Sequence, residues 1–251
     1  MKLLTTYSRR SMRALIDADY FLYRSAAGSE YEFEMAPDVW TYLCRITDAK
    51  DSFEAEINRI KDITPDHEIA LVLGDRTNFR YAIYPEYKSN RRKYRRPAGY
   101  NALREWAIEA WSALTLPNVE GDDVLGVMAE EGDVIVSRDK DLRTIPGLHL
   151  DGEGIIEVNQ WEADFNFYTQ VLTGDATDGY PGCKGVGAVG ARKILLACRT
   201  PEEMWLNTLI AYDKAGHSVE YAIQMARCAR ILRPGEYDQN KQAPILWCPP
   251  V

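Results

Sequence analysis

The chain has 251 residues, of which 46% are apolar and 27% charged, with a formal net charge of -8. That length and composition suit one large globular domain, or a domain with a small appended module. No run of about 18 apolar residues occurs, which excludes a membrane-spanning helix.

The opening stretch "MKLLTTYSRRSMR" is basic but lacks the apolar core of a secretory signal. Five cysteines (Cys44, Cys183, Cys198, Cys228 and Cys248) form no CxxC pair. Reduced thiols in a cytoplasmic compartment are the expectation, and the spacing does not suggest zinc. Three scattered histidines argue against a histidine-rich metal site.

In chain order, "RALIDAD" (13–19) is an apolar run ending in acids, followed by the helical pattern "YFLYRSAA". "EIALVLGD" (68–75) and "DVIVSRDKD" (133–141) repeat the design. Continuous apolar runs suit strands buried on both faces of a parallel sheet. Helices are predicted between them, over roughly 37–62, 100–113 and 121–131, giving an α/β fold with a mostly parallel central sheet flanked by helices. Ligands bind outside the carboxyl ends of such strands, where Asp17, Asp75, Asp139 and Asp141 fall. From about residue 160 the pattern turns helical, in "WEADFNFYTQVL" and "HSVEYAIQMARCARIL". Val219, Ala222, Ile223 and Ala226 are predicted to share one buried helix face. A helical C-terminal module (161–251) docked on a core of 13–160 is the expected organisation.

Nine acids gather at these strand ends and in nearby loops: Asp17, Asp75, Glu120, Asp122, Asp123, Asp139, Asp141, Asp175 and Asp178. Singly, "GDDV" reads as a helix N-terminus capped by Asp, and "DATDG" as a turn. Together they repel one another unless something neutralises them. Oxygen-only donor sets suit Mg²⁺ or Mn²⁺, and this many carboxylates leave room for two ions. Paired ions activate water and stabilise the leaving oxygen in phosphodiester cleavage.

"GCKGVGAVGARKIL" (182–195) supplies Gly185, Gly187 and Gly190 for a tight turn and Lys184, Arg192 and Lys193 for charge. It reads as a helix–hairpin–helix motif, over 175–197, gripping a nucleic-acid backbone without reading bases. A dinucleotide-binding turn needs a preceding strand and a later acid, and neither is present.

"KSNRRKYRR" (88–96) places six Lys or Arg in nine positions. A solvated basic loop is one reading. The helical pattern that follows, with Leu103, Trp106, Ala107, Ala110 and Trp111 on one face, favours instead a two-helix arch (about 80–115) with a cationic inner side. Tyr81, Tyr84, Tyr87, Tyr94 and Tyr100 either stack on unpaired bases or pack, with packing expected for at least three.

"IDADY", "LGD", "YKSNR", "EGDDVLG", "SRDKDL" and "GDATDGYPGCKGVGAVGA" resemble, in this order, the motifs of structure-specific 5′ nucleases. That superfamily includes flap endonucleases and the 5′-nuclease domain of bacterial DNA polymerase I. "YKSNRRKYRRPAGY", "EGDDVLGVMA" and "QMARCARILRPGEYDQNKQAPILW" are most similar to the 5′→3′ exonucleases of short-tailed bacteriophages. The resemblance covers about residues 13–248 and implies a PIN-like fold. It implies that Asp17, Asp75, Glu120, Asp122, Asp123 and Asp139 form a first metal site and its immediate shell, and that Asp141, Asp175 and Asp178 form a second, with Asp139 between. It implies that Lys88 and Arg91 act on the scissile phosphate. Arg92, Lys93, Arg95 and Arg96 are expected to guide the strand. Gly185, Gly187 and Gly190, with Lys184, Arg192 and Lys193, are expected to hold duplex DNA, with K⁺ at the hairpin. The stretch 198–217 is shorter than in the phage relatives, which puts the extent of duplex contact there in question.

The expected activity is Mg²⁺-dependent hydrolysis, with Mn²⁺ substituting, at 5′ ends or flaps of duplex DNA and at RNA primers in RNA–DNA hybrids. The expected form is a monomer in the cytoplasm, that of the host if the chain is phage-encoded. Two alternatives stand beside it: a non-catalytic protein that binds branched DNA, and a nuclease of related fold acting mainly on RNA.

Overall fold

A computed structural model describes residues 11–152 and 154–250; the Arg92 side chain and the basic stretch 1–10 lie outside the described residues. The elements in chain order begin with β1 (Arg13–Asp17), α1 (Ala18–Gly28), β2 (Glu30–Ala36), β3 (Val39–Cys44), α2 (Ile46–Ile63) and β4 (Glu68–Val72). Next are α3 (Arg80–Ile83), α4 (Tyr100–Trp111), α5 (Gly121–Met128), β5 (Val134–Val136), β6 (Gly147–Leu150) and β7 (Ile155–Val158). The chain then runs through α6 (Gln160–Thr173), α7 (Ala188–Leu195), α8 (Pro201–Lys214) and α9 (Val219–Ala229), and ends in the short pair β8 (Tyr237–Asp238) and β9 (Ala243–Pro244). Two 3₁₀ turns occupy Ser89–Lys93 and Lys140–Thr144.

The central sheet has the order β4-β1-β5-β6-β7, parallel except for β7. Side-chain alternation along β1 feeds two cores. Ala14 and Ile16 pack with Phe21, Phe53, Ile57 and Leu103 of α1, α2 and α4. Leu15 turns the other way, into a cluster with Val124, Leu125, Ile135, Ile231 and Leu232. A third cluster, with Phe167, Tyr168, Trp205, Met225 and Trp247, joins α6 to α9. The three layers hold the carboxyl ends of β1 and β5 side by side.

Three sequence expectations are corrected. Residues 39–44 form β3, not the start of a helix, because "VWTYLC" pairs antiparallel with "EYEFEMA" in register Tyr31↔Leu43 and Phe33↔Thr41. Residues 80–115 do not form a two-helix arch. α4 buries Tyr100, Leu103 and Ala107 in the core against α1 and α2, Ala110 is exposed, and the basic stretch is one 3₁₀ turn followed by extended chain. Val219 is half exposed; Ala222, Met225, Ala226 and Ala229 form the buried face of α9. Of the five tyrosines around the basic stretch, Tyr87 and Tyr100 are buried and Tyr84 is partly buried, whereas Tyr81 and Tyr94 are exposed.

Gly126 marks the closest approach between α5 and the segment after α9: a Cβ there would lie 1.9 Å from the Leu232 carbonyl oxygen. Gly126→Ala is expected to destabilise the fold by about 1–3 kcal/mol or more through overpacking. Thermal denaturation of the purified variant checks it.

Candidate active site

The sheet topology brings most of the nine acids to one end of the molecule. Asp17 closes β1 and caps α1, its Oδ1 accepting from the Tyr20 N–H at 3.3 Å and its Oδ2 from the Ser137 hydroxyl at 2.7 Å. Asp139 follows β5 and caps the 3₁₀ turn that carries Asp141. Glu120 caps α5, with Asp122 in its first turn. Asp175 and Asp178 lie in the loop after α6. This loop closes on Gly174 and Gly182, both at φ +65°, so tightly that a Cβ on Gly182 would lie 2.2 Å from the Gly174 nitrogen.

A cleft of about 240 Å³ is lined by Glu120, Asp122, Asp139, Asp141, Asp175 and Asp178, together with Tyr87, Lys88 and Arg91. Asp17 flanks it, and its charge acts on Asp122.

The electrostatics divide these acids into two sets. Burial, then the charges of Asp19 and Asp139, push Asp17 up to about 6. Burial and the charges of Asp139, Asp175 and Asp178 push Asp141 up to about 6 as well. Asp122 is raised well above the usual carboxylate range by burial and by Asp17, Asp139 and Glu120. Glu120 behaves oppositely: burial acts to raise it, but Lys88 and Arg80 outweigh burial and hold it low. Lys88 donates to Glu120 Oε1 and also faces Asp178 at 3.5 Å. Arg91 donates to Asp178 Oδ1 at 2.6 Å.

Tyr87 was legible only as one of five tyrosines. It is buried, and its hydroxyl lies 2.9 Å from Glu120 Oε2 and 2.6 Å from Asp178 Oδ2. It therefore ties a carboxylate of the sheet core to one of the C-terminal loop. Its position beside Lys88 in "EYK" was a signal that sequence reasoning passed over. Ser137 and Gln170, which hydrogen-bond Asp17 and Asp141, were also missed.

Besides Asp17, which flanks the cleft, two of the nine acids do not line it. Asp75 is exposed and accepts from the Arg76 N–H, the Asn118 N–H and the Thr77 hydroxyl, fastening the loop after β4 to residue 118. Asp123 is fully buried and points inward, where both its oxygens are taken by Arg80 at 2.6 and 2.7 Å and by the Glu120 and Leu232 N–H groups. With every lone-pair direction engaged, Asp123 is a structural anion and not a free ligand.

The basic stretch likewise divides. Lys88 and Arg91 reach the cleft. Arg95 forms a bidentate pair with Glu30 at 2.5 and 2.7 Å and lies 3.9 Å over the Tyr42 ring, so it is committed to the β2–β3 hairpin. Lys93 and Arg96 are exposed. Lys184, Gly185, Gly187, Arg192 and Lys193 form a separate exposed patch at the start of α7, with Gly190 half-buried behind it. Among the described residues, their chain neighbours apart, none lies within 4 Å of a Cβ built on Gly185 or Gly187.

The donor chemistry fits a hard divalent cation. Asp17, Asp122 and Asp141 are desolvated carboxylates, each raised by burial and by the charge of neighbouring acids, Asp139 among them in every case. As they stand, no group of three or more His, Cys, Asp or Glu side chains among the described residues is arranged to hold an ion. Glu120 and Asp178 are turned instead toward Lys88, Tyr87 and Arg91.

Residues 12–149 match the family described as "5′-3′ exonuclease, N-terminal resolvase-like domain". The chain belongs to this family and is an enzyme of the 5′–3′ exonuclease class. It is 28% identical to the exonuclease of Escherichia phage T7, covering 94% of this chain and 93% of that protein. It is 27% identical to the exodeoxyribonuclease of Enterobacteria phage T3, covering 94% and 92%. DNA polymerase I of Bacillus caldotenax is 25% identical over 79% of this chain and 25% of its own length. Among solved structures, the zinc-bound bacteriophage T5 5′-exonuclease superposes with a TM-score of 0.49 at 15% identity, over 86% of this chain and 93% of that one.

The raised carboxylates fix a pH dependence. Asp17 keeps its proton in the folded protein to about pH 6, but in the unfolded chain only to about 3.8. Its favourable contribution is full below pH 3.8 and is lost as pH rises through 6. The loss is about 3 kcal/mol, at 1.36 kcal/mol per pKa unit. Asp17→Asn is therefore expected to raise the melting temperature of metal-free protein at pH 8, by about 2–4 °C for each kcal/mol relieved. No gain is expected at pH 4. Melting curves in chelator at the two pH values check it.

Proposed function

We propose that the protein is a divalent-metal-dependent, structure-specific 5′ nuclease. It hydrolyses phosphodiester bonds at 5′ ends or flaps of duplex DNA, and removes RNA primers from RNA–DNA hybrids. The observation that carries this reading is the pairing, in one cleft, of desolvated carboxylates lacking cations with a Lys88–Arg91 pair. Asp17, Glu120, Asp122 and Asp139 would hold one ion, and Asp141, Asp175 and Asp178 a second, Mg²⁺ in the cell with Mn²⁺ able to substitute. When bound, such ions supply Lewis acidity toward water and the phosphate oxygens.

The chain's own residues do the rest. Lys88 and Arg91, released from Glu120 and Asp178, neutralise charge growing on the scissile phosphate. Tyr87 keeps Glu120 and Asp178 aligned across the cleft. Lys93 and Arg96, with Arg92, guide the incoming strand through its phosphates, without reading sequence. The exposed backbone at Gly185 and Gly187, with Lys184, Arg192 and Lys193, supports the reading of 175–197 as a helix–hairpin–helix that holds the duplex, with K⁺ at its turn. Residues 13–160 act as the nuclease core and 161–251 as a helical module that positions the duplex. The protein acts as a monomer in the cytoplasm where its DNA substrate lies.

Assay of 5′-labelled flap, blunt-duplex and RNA–DNA substrates with Mg²⁺ or chelator tests the proposal. Cleavage from the 5′ end in Mg²⁺ alone is expected. Cleavage in chelator would refute the metal mechanism, and binding without cleavage would leave a DNA-holding protein. Lys88→Ala is expected to lower turnover at least about 100-fold, with less than about threefold change in DNA affinity. An equal loss in both would make Lys88 an ordinary phosphate contact.

A further inference from the structure

The C-terminal motif "ARCARILRPGEYD" (226–238) lends Cys228, Ala229 and Ile231 to the cleft wall and is tied to the cleft by buried polar bonds. Its anchor is Arg80, 2% exposed at the start of α3. One edge of the guanidinium holds both oxygens of Asp123, and one of its nitrogens also lies 3.5 Å from Glu120 Oε2. The other donors go to main-chain carbonyls of the motif, Cys228 at 3.0 Å and Arg230 at 2.5 Å. Asp123 returns the link by accepting from the Leu232 N–H at 3.1 Å and the Glu120 N–H at 3.1 Å.

The far end of the motif is fastened separately. Glu236 pairs with Arg230 and accepts from the Arg233 N–H, while Arg233 pairs with Asp164 at 2.6 Å and donates to the Thr144 carbonyl. A fixed guanidinium fork distributes direction as well as charge, which a lysine cannot reproduce.

We infer that Arg80 is a positioning residue of the reaction, and that residues 228–233 form with it a strap that sets the Glu120 carboxylate. The chain of contacts runs from Glu236 through Arg230 and Arg80 to Asp123 and Glu120. Arg80 borders the cleft and acts by holding the carboxylate of Glu120 directly and its backbone through Asp123. Asp123 belongs to this strap, and the two behave as one unit. The inference rests on the nuclease reading above.

The experiment combines Arg80→Lys, Asp123→Asn, the double variant and the remote Glu236→Gln. Each is measured for Mg²⁺ affinity by calorimetry without DNA, for DNA affinity in chelator, and for turnover per folded molecule. Arg80→Lys and Asp123→Asn are each expected to weaken Mg²⁺ binding several-fold and to lower turnover tenfold or more. DNA affinity should stay within threefold, and the double variant should be no worse than the poorer single within twofold. Glu236→Gln, far from the cleft, should lose two- to fivefold in both Mg²⁺ affinity and turnover. Losses that multiply in the double variant would make Asp123 and Arg80 independent and overturn the inference. If the core variants fail to fold, Glu236→Gln decides alone: wild-type Mg²⁺ affinity and turnover there overturn it. A wild-type protein that binds no divalent ion fails the nuclease reading instead, so the two failures are distinct.

Discussion

Mutual repulsion among carboxylates held at one end of a parallel sheet is the constraint around which this molecule is arranged. β4, β1 and β5 run parallel and adjacent, so the acids that end β1 and follow β5 emerge side by side. Taken out of water, each disfavours ionisation of the next. Hydrophobic clusters packed on the two faces of the sheet hold these strands together. The fold relieves some of this repulsion with its own cations, Lys88 and Arg80 holding Glu120 low, while Asp17 and Asp141 are pushed up to about 6.

The motif "EGDD" shows how finely the division is made. Three acids in four residues meet three fates. Glu120, at the N-cap, faces Lys88 and Tyr87; Asp122, in the first helical turn, lines the cleft beside Asp17 and Asp139; Asp123, one residue further round the helix, turns inward to Arg80. Successive helical residues point about 100° apart, so neighbouring acids cannot share one role. A buried Asp123 without Arg80 would be an uncompensated charge, and the helix N-terminus alone would not offset it.

The same geometry explains what the sequence could and could not convey. Continuous apolar runs ending in Asp located β1, β4 and β5 correctly, because burial on both faces leaves a direct compositional trace. The β2–β3 hairpin was hidden, since "VWTYLC" followed by a strongly amphipathic helix reads as one helical stretch until its partner "EYEFEMA" is considered. The inward pairing of Asp123 was not legible because its partner lies 43 residues away in sequence and the Leu232 N–H 109 away. The loop contacts of Asp75 were hidden for the opposite reason: its partners are local, and a strand-end Asp looks the same whether it faces a cleft or ties down its own loop. The remaining acids stand in ordered motifs, and the fold gathers them in or beside one cleft, where the protonation of Asp17 and Asp141 depends on distances that only the fold sets.

The basic stretch that stood out in an acidic chain is itself organised by acids from three regions. Lys88 sits in the left-handed conformation at φ 54°, which costs a non-glycine residue about 1–2 kcal/mol. Its N–H is held by the Asp178 carbonyl at 2.6 Å and its ammonium by Glu120. Arg91 is held by Asp178, and Arg95 by Glu30 of the hairpin. The sheet core, the C-terminal loop and the hairpin therefore each fix one point of the segment. Because Asp178 contacts both Lys88 and Arg91, a shift of the C-terminal loop moves both cleft cations together. The approach of a phosphate to this segment is thus governed by the relative placement of all three regions, and not by the local charge of the nine residues alone.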